Sequence, residues 1–296
     1  MIVIQLSGGL GNQMFQYAYG LAIEQFSKDE VFLDMSLLKN YPNGLYNTKR
    51  DYELELFDIQ LPVIGLVINF RHNVLSKFIY KIVNKYFRIK NTLKLVVQSP
   101  NETYVDWLNY GRNVYVIGSF QSYKYMLDIR NLILKSFVHS KELSVLSEKI
   151  RSKIAIQESV SIHIRRGDYL KSHNLINHGI CGLKYYEDSI KYFEDRFIEC
   201  HYYIFSDDIE WCRNNIGKDL NYCEYINHNL GNDAWQDIIL MKNCKHNIIA
   251  NSSFSWWGAW LNENIDKIVI SPHNWFANAK YEILTSELIP EDWVRL

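Results

Sequence analysis

The chain opens with a strand–helix–strand pattern, which constrains its fold more than any other feature. IVIQL at residues 2–6 is the largely apolar run expected of a strand buried on both faces. SGGLGNQ at 7–13 predicts a loop, MFQYAYGLAIEQF at 14–26 a helix, and EVFLD at 30–34 a second strand. Such a unit joins two parallel strands through a helix that covers one face of the sheet. The fold class predicted is therefore α/β with a parallel sheet.

The same alternation recurs further along the chain. Strand patterns occur at 113–121, 159–166, 202–208, 246–250 and 267–272, and the last of these is expected to be the final strand. Helical patterns occupy 126–156, 234–244 and 254–263. Strands alternating with helices in both halves predict two Rossmann-like, doubly wound domains that face a cleft. We place the boundary near residue 150, which gives domains of residues 1–150 and 151–296.

Composition excludes several classes of protein. Hydrophobic residues make up 48% of the 296 residues and the net charge is −1, so neither disorder nor general nucleic-acid binding is expected. The five cysteines are an odd number without a CxxC pair, which favours reduced thiols over disulfides or a zinc site. No apolar run reaches about 20 residues, and the N-terminus lacks a signal-peptide pattern. We therefore expect a cytoplasmic protein.

The loop after the first strand is rich in glycine. Gly9 and Gly11 fit the first two positions of the dinucleotide-binding pattern, but Met14 stands where its third glycine belongs. Asp34 ends the second strand, where an acid that binds a ribose would lie. A nicotinamide-dependent oxidoreductase is therefore one alternative, and a tight turn without a ligand is another. The amides of Asn12 and Gln13, in the same loop, are suited to a sugar or phosphate.

SIHIRRGDYL, at residues 161–170, places two arginines at the end of a strand. His163 and Arg165 share one face of that strand, while Arg166 and Asp168 fall on the other. A guanidinium matches phosphate oxygens with two parallel hydrogen bonds. One arginine is thus expected to bind an anion and the other to brace the loop through Asp168. The simpler alternative is an Arg166–Asp168 salt bridge at the surface.

Two further stretches carry polar groups at predicted strand ends. Asp207 and Asp208 suit a guanine edge, a ribose or a metal ion, although a metal would need more oxygen ligands; Asp at this place also caps helices. Ser252, Ser253 and Ser255 crowd the start of an apolar helix, which makes either a second anion site or ordinary capping. Together these stretches suit a nucleotide diphosphate between two domains.

The segment 59–101 contains no acidic residue and seven lysines or arginines. Within it, residues 70–94 have apolar side chains at helical spacing with basic residues on the other side. One interpretation is a helix with a solvated basic face. The other is an interfacial helix that gives the protein peripheral contact with an anionic membrane, such as the inner face of the plasma membrane.

Four stretches, taken in order, resemble one known family. GGLGNQMFQYAYG (8–20), HIRRGDY (163–169), FSDD (205–208) and NSSFSWWGAW (251–260) are similar to the α-1,2-fucosyltransferases of glycosyltransferase family 11. The resemblance runs from residue 2 to about residue 275. It implies a fold of the glycosyltransferase B type, GDP-L-fucose as donor, inversion at the anomeric carbon and no required metal or other cofactor. The implied acceptor is a terminal galactose of an oligosaccharide or lipid-linked glycan, which accepts fucose on its 2-hydroxyl.

The resemblance also implies roles for individual residues. Arg165 would pair with the β-phosphate of GDP, and His163 and Arg166 would belong to the same GDP-fucose site. Asp207 or, in preference, Asp208 would bind guanine or ribose. Ser252, Ser253 and Phe254 would contact the phosphates. Residues 151–296 would form the domain that binds GDP-fucose. Asn12 belongs to the acceptor-side domain of residues 1–150 and would reach across the cleft toward donor and acceptor.

The general base is left open by the sequence. Asp168 is the first choice, and Glu187, Asp188 and His178 are further candidates. The acceptor is expected to be read by the middle of the chain and by residues 173–181. A protein that binds sugar nucleotides or glycans without turnover is the third hypothesis.

Overall fold

The computed structural model describes residues 1–27, 29–39, 50–65, 93–99, 104, 113–218, 220–282 and 284–296. Their contacts divide the chain into two compact units, Met1–Ser140 and Lys141–Leu296. The division precedes the boundary placed near residue 150 because the helix Val145–Ile156 packs on the helix Trp235–Asn243 of the second unit.

The first unit is built on a parallel sheet of five strands in the order β3-β2-β1-β5-β4. Its central strand β1 is buried along its whole length, as its apolar run predicts. The order reverses between β1 and β5, so the loops that follow these two strands flank the topological switch point. The strands are β1 Ile2–Gln5, β2 Val31–Asp34, β3 Val63–Ile64, β4 Lys94–Val97 and β5 Val114–Ile117.

The second unit is a parallel sheet of six strands in the order β11-β10-β9-β6-β7-β8. Its switch point lies between β6 and β9, and ligands of such sheets bind outside the carboxyl ends of the strands at that point. The predicted two α/β domains with parallel sheets are therefore confirmed. The strands are β6 Ser159–Ile164, β7 His201–Ser206, β8 Cys223–Ile226, β9 His246–Ile248, β10 Val269–Ser271 and β11 Val294–Arg295.

Helices connect the strands of both sheets. Those in the described part of the first unit are Leu10–Ser27, Ser36–Lys39 and Arg130–Ser136. Those in the second unit are Val145–Ile156, Ser172–Asn177, Leu183–Glu194, Ile209–Asn215, Trp235–Asn243, Ser253–Trp260, Ala279–Glu282 and Thr285–Leu288.

Three details of the predicted elements are wrong. The first helix begins at Leu10, so Gly11, Asn12 and Gln13 lie in its first turn rather than in a loop. The helical pattern at 126–156 is interrupted at 137–144, where Ser140 donates from its N–H to the Leu56 carbonyl at 2.9 Å. The strand predicted at 267–272 is not the last one, because β11 pairs with it and extends the sheet.

The five cysteines are free, as their number and spacing predict. Cys200, Cys212 and Cys244 are buried. Burial raises the pKa of Cys212 to about 11, since the thiolate would be poorly solvated. These thiols behave as small apolar groups of the core.

Asp34 is a buried part of the first sheet and not a ribose-binding acid. Its Oδ1 accepts from the Ser36 N–H at 3.0 Å and from the Ser36 hydroxyl at 2.6 Å. Its Oδ2 accepts from the Tyr115 hydroxyl at 2.7 Å, which in turn accepts from the Gln5 amide at 3.2 Å. Burial and the nearby Asp34 carboxylate raise the pKa of Tyr115. The prediction that Asp34 binds the ribose of a nicotinamide cofactor is therefore wrong.

Tyr115→Phe is expected to lower the free energy of unfolding by about 1–3 kcal/mol, because it removes the hydrogen bond that the Tyr115 hydroxyl donates to a buried carboxylate. Urea titration followed by far-UV circular dichroism measures the change. Tyr222→Phe, at a side chain that is 46% exposed, is the control and should change stability little. Equal stability of the two variants would contradict the importance assigned to this hydrogen bond.

Candidate active site

The switch point of the second sheet brings two loops together at its carboxyl edge. One follows β6 and carries Arg165 and Arg166, and the other follows β9 and leads through Asn251 to the helix Ser253–Trp260, here called the serine helix. Arg165 lies over the ring of Tyr169 at 5.5 Å, and the Tyr169 hydroxyl donates to the Asn251 carbonyl at 3.2 Å. The arginine loop and the start of the serine helix are thus held side by side.

The register between β6 and β7 determines how the arginines pair. Ile164 is opposite Ser206, so the next residues of the two chains, Arg165 with Asp207 and Arg166 with Asp208, are also neighbours. Arg165 Nη1 lies 2.9 Å from Asp207 Oδ2, and Arg166 Nε lies 3.1 Å from Asp208 Oδ2. The RR and DD pairs recognised in the sequence therefore belong to one ionic cluster.

Arg165 is held between two carboxylates. Besides its pair with Asp207, its Nη2 lies 2.5 Å from Asp168 Oδ1. A quarter of the Arg165 side chain remains exposed. The structure thus fixes a partly exposed guanidinium at the switch point, where a charged ligand would bind.

Arg166 has a bracing role. Its guanidinium stacks 4.0 Å from the ring centre of Trp211 and pairs with Asp208. Asp208 Oδ1 also accepts from the Trp211 N–H at 3.2 Å, which caps the helix Ile209–Asn215. The sequence expected Asp168 to hold Arg166; this is wrong, because Asp168 pairs with Arg165. Asp208 does cap a helix, and both of its oxygens contact protein groups.

Asp207 ties the ends of β6 and β7 together. Its Oδ1 accepts from the N–H groups of Arg166 at 2.9 Å and Gly167 at 3.1 Å, while its Oδ2 pairs with Arg165. A Cβ on Gly167 would lie only 2.7 Å from Asp207 Oδ2. Glycine at 167 is therefore required for Asp207 to approach the arginine loop.

His163 lies beneath Arg165 and is 5% exposed. Its Nδ1 is buried without a hydrogen-bond partner among the described residues, and its ring centre lies 5.7 Å from that of Phe254. Burial, together with the Arg165 charge, lowers the pKa of His163 to about 3, although Asp207 opposes the change. The imidazole is therefore neutral at physiological pH.

The serine helix begins with an ordinary cap. The Ser252 hydroxyl accepts from the Phe254 N–H at 3.4 Å, and the Ser255 hydroxyl is buried and donates to the Ala250 carbonyl at 3.5 Å. Ser253 and Phe254 are partly exposed. Ser255 therefore belongs to the core, whereas the first turn of the helix is open at Ser253 and Phe254.

Asn251 is a residue whose role the sequence did not reveal. Its amide donates to the carbonyls of His178 at 2.8 Å and Trp275 at 3.2 Å, and its Oδ1 lies 3.6 Å from Cys181 Sγ. It therefore fastens the 178–181 loop beside the serine helix. His178 stacks on Tyr169 at 5.3 Å.

Two of the other candidate bases, Glu187 and Asp188, lie on the helix Leu183–Glu194. Asp188 pairs with Lys184 at 2.9 Å on the exposed face of that helix, and Glu187 is also exposed. Both carboxylates therefore face solvent, whereas His178 adjoins the ionic cluster through Tyr169.

The glycine loop of the first unit also flanks a switch point. Gly8 adopts φ +75°, and a Cβ there would lie 2.4 Å from Asn12 Nδ2. The Gln121 amide donates to Asn12 Oδ1 at 2.9 Å. Gln13 is fully buried, and its amide binds the carbonyls of Gly8 at 3.0 Å and Asp51 at 2.8 Å. Gln13 therefore shapes the loop, and its amide is not directed at a ligand.

Arg50 and Glu53 complete this part of the first unit, and the sequence did not single them out. A Cβ on Gly9 would lie 3.8 Å from Arg50 Nε. Glu53 Oε2 is buried without a hydrogen-bond partner among the described residues. Burial raises the pKa of Glu53, which Arg50 and the Leu10 N–H partly offset.

The described residues contain no group of three or more His, Cys, Asp or Glu that could hold a metal ion. Within the same ranges, no helix has the length and apolar character needed to cross a membrane. The basic segment 70–94 lies outside the described residues except for its last two positions, so its membrane contact stays a prediction.

Comparison with known proteins identifies relatives over the whole chain. The family model for glycosyl transferase family 11 matches residues 1–296. An α-1,2-colitosyltransferase of Escherichia coli is 33% identical over 100% of this chain and 99% of its own length. The O-antigen biosynthesis glycosyltransferase WbnK of Escherichia coli is 34% identical over 98% and 99%. The galactoside 2-alpha-L-fucosyltransferase Sec1 of Mus musculus is 23% identical over 88% of this chain and 64% of its own.

The fold also has a solved counterpart. The crystal structure of the fucosyltransferase NodZ from Bradyrhizobium matches with a TM-score of 0.51 and 10% identity, over 87% of this chain and 91% of that one. At this identity the likeness concerns the fold alone.

Gly167→Ala is expected to displace the Asp207 carboxylate from Arg165, because the added Cβ meets it at 2.7 Å. Glycosyl transfer should fall by about tenfold or more, since misplaced charge at a reacting centre is costly. Initial rates of nucleotide release measure the effect. Gly182→Ala is the matched control, because a Cβ there meets nothing within 4 Å. Equal rates for both variants would show that the Asp207 contact is dispensable.

Proposed function

The chain belongs to glycosyltransferase family 11, and we propose that it transfers L-fucose from GDP-β-L-fucose to the 2-hydroxyl of a terminal β-galactose. The product is an α-1,2 linkage formed with inversion, and no metal ion is required. The mouse relative is named a galactoside 2-alpha-L-fucosyltransferase, and the family resemblance of HIRRGDY and NSSFSWWGAW implies the donor, the inversion and the metal independence. The natural acceptor proposed is an oligosaccharide or lipid-linked glycan, in keeping with the O-antigen role in the name of one bacterial relative.

The observation that carries the proposal is the placement of Arg165. It lies at the switch point of the second sheet, and Tyr169 holds its loop against Asn251, just before the cap of the serine helix. In glycosyl transfer the sugar passes through an oxocarbenium-like state while the leaving diphosphate gains negative charge. A fixed guanidinium and a helix N-terminus stabilise such charge without reorganising. That is the work a metal ion performs in other transferases.

The remaining residues of the second unit are assigned around this phosphate site. Ser253 and Phe254 present the open first turn of the serine helix to the phosphates, with Ser252 as its cap. Neutral His163 lies against the nucleotide without adding a second positive charge. Asp207 and Asp208 mainly hold the two arginines, so of the ribose and guanine contacts expected of Asp208 we assign to it only the ribose, through its remaining exposed surface.

The first unit is proposed to supply the acceptor side. Asn12, at the start of the first helix, would contact donor and acceptor. The Gly9 carbonyl accepts from the N–H groups of Asn12 and Gln13, and the Gln13 amide binds the Gly8 carbonyl, so these contacts keep its loop in shape. The cytoplasmic location and the membrane contact through residues 70–94 remain proposals.

A colitosyl donor is the second candidate. Colitose is L-fucose without its 3-hydroxyl, and a relative at 33% identity over the whole chain is named an α-1,2-colitosyltransferase. Both donors would be GDP sugars with the same leaving group, so the site described above serves either. The two donors differ only in the 3-hydroxyl of the sugar, and therefore in the contacts that the protein makes to that hydroxyl.

The test is to incubate the pure protein with GDP-L-fucose or GDP-colitose and a panel of β-galactosides in EDTA. Released GDP is quantified, and the product linkage is determined by NMR. EDTA-resistant transfer of fucose to the galactose 2-hydroxyl is expected. Transfer of colitose alone would establish the second candidate. Binding of GDP-fucose without turnover on any acceptor would contradict the proposed reaction.

Arg165→Lys is expected to lower the transfer rate by about 10²–10³-fold, because a point charge does not reproduce the planar fork. Arg151→Lys, in an exposed pair with Glu148, is the matched control and should retain activity. Near-normal turnover of Arg165→Lys would refute the role of the guanidinium.

Asp168→Asn separates two roles of that carboxylate. As a base it would take the proton of the acceptor hydroxyl, whereas as a partner of Arg165 it positions the guanidinium at 2.5 Å. We expect the positioning role, so transfer to acceptor and slow donor hydrolysis should fall together and GDP-fucose should bind more weakly. Loss of transfer with donor hydrolysis and binding unchanged would instead identify Asp168 as the base.

A further inference from the structure

Guanine recognition has no obvious residue in the ionic cluster. The two carboxylates of FSDD are engaged by Arg165, Arg166 and backbone N–H groups. Guanine differs from adenine by presenting two adjacent N–H donors, on N1 and on the 2-amino group, and a carboxylate has two acceptor oxygens to receive them. Another carboxylate near the same edge of the sheet would therefore serve this purpose.

Asp237 has the properties required. It lies in the first turn of the helix Trp235–Asn243, here called the Trp235 helix, and keeps a partial opening to solvent although it is packed deeply. Burial raises the pKa of Asp237 to about 7, and a hydrogen bond from Asn229 opposes the rise. The Asn229 amide donates to one carboxylate oxygen of Asp237, so the other oxygen can still accept hydrogen bonds.

The neighbours of Asp237 fix its orientation. The Asn229 amide donates to Asp237 Oδ1 at 2.8 Å, and Asn229 Oδ1 accepts from the Ser147 hydroxyl at 3.1 Å. Ser147 Oγ is also 2.9 Å from His228 Nε2. This chain of hydrogen bonds holds the amide of Asn229 with its donor toward Asp237 Oδ1, and Asp237 Oδ2 has no hydrogen-bond partner among the described residues.

Helix packing places Asp237 beside the candidate site. The Trp235 helix leads into β9 and the serine helix leaves it; because the strands of this sheet are parallel, both helices run from its carboxyl edge to its amino edge and are parallel to each other. They touch where Met241 lies 2.9 Å from the Cβ position of Gly258. Asp237 on the Trp235 helix and Phe254 on the serine helix each lie one turn from that contact, toward the carboxyl edge of the sheet. Phe254 contacts His163, so Asp237 adjoins the nucleotide side of the site.

We propose that Asp237 binds the guanine of the donor, accepting hydrogen bonds from its N1–H and 2-amino groups. The inference rests on the proposed function, because it requires a GDP-sugar donor. The ionised carboxylate meets two donors on guanine, but on adenine it would face the lone pair of N1. Asp237 therefore selects guanine nucleotides, while Arg165 and the serine helix bind the diphosphate common to all of them.

The test measures binding of GDP, IDP and ADP to the full chain by calorimetry at pH 8. IDP lacks only the 2-amino group of guanine. The wild type is expected to bind GDP at least about tenfold more tightly than IDP, since a buried charged acceptor loses a donor. Asp237→Asn should weaken GDP binding about 10- to 100-fold and bring the GDP and IDP affinities close together. Asp233→Asn, at an exposed carboxylate just before the helix, should behave as the wild type.

Several outcomes would overturn the inference. An Asp237→Asn variant that keeps the wild-type preference for GDP over IDP would do so. A wild type that binds GDP and IDP equally would also do so, and that comparison holds even if the variant fails to fold. A wild type that binds no GDP at all would instead remove the proposed donor, and the inference with it.

Discussion

The Asp207 carboxylate is the contact on which the rest of the site depends. It accepts from two consecutive N–H groups after β6 and pairs with Arg165, so it joins the ends of two neighbouring strands and fixes a guanidinium between them. Without it, Arg165 would be a long side chain on a loop, with the entropy of ordering still to overcome. Glycine at 167 leaves room for this carboxylate, and Asp168 pairs with the guanidinium as a second partner.

Most of the fold could be predicted from the sequence because the long strands have clear patterns. β1 and β6 are buried on both faces, and their apolar runs are visible in the sequence. β3 and β11 have only two residues each, which is too short for any periodicity. The interruption at 137–144 depends on a backbone hydrogen bond to Leu56, more than 80 residues earlier, and no local pattern records it.

The site could be predicted in its parts but not in its pairings. The sequence showed that Arg165, Arg166, Asp207 and Asp208 end strands. Which arginine meets which aspartate follows from the register of β6 and β7, a long-range property that a single sequence does not contain. Asp34 was misjudged for the same reason, since only the parallel pairing of β1 with β2 and β5 brings Tyr115 to its carboxylate. Asp237 could not be found by pattern, because its importance comes from burial and from helix packing.

The central claim is that Arg165 and the start of the serine helix bind the diphosphate of the donor. The most direct measurement is a crystal structure of the full chain with GDP. The account predicts the β-phosphate within hydrogen-bond distance of the Arg165 guanidinium and next to the N–H groups of Ser253 and Phe254. A diphosphate bound at the glycine loop of the first unit, with Arg165 still engaged only by Asp168 and Asp207, would contradict it.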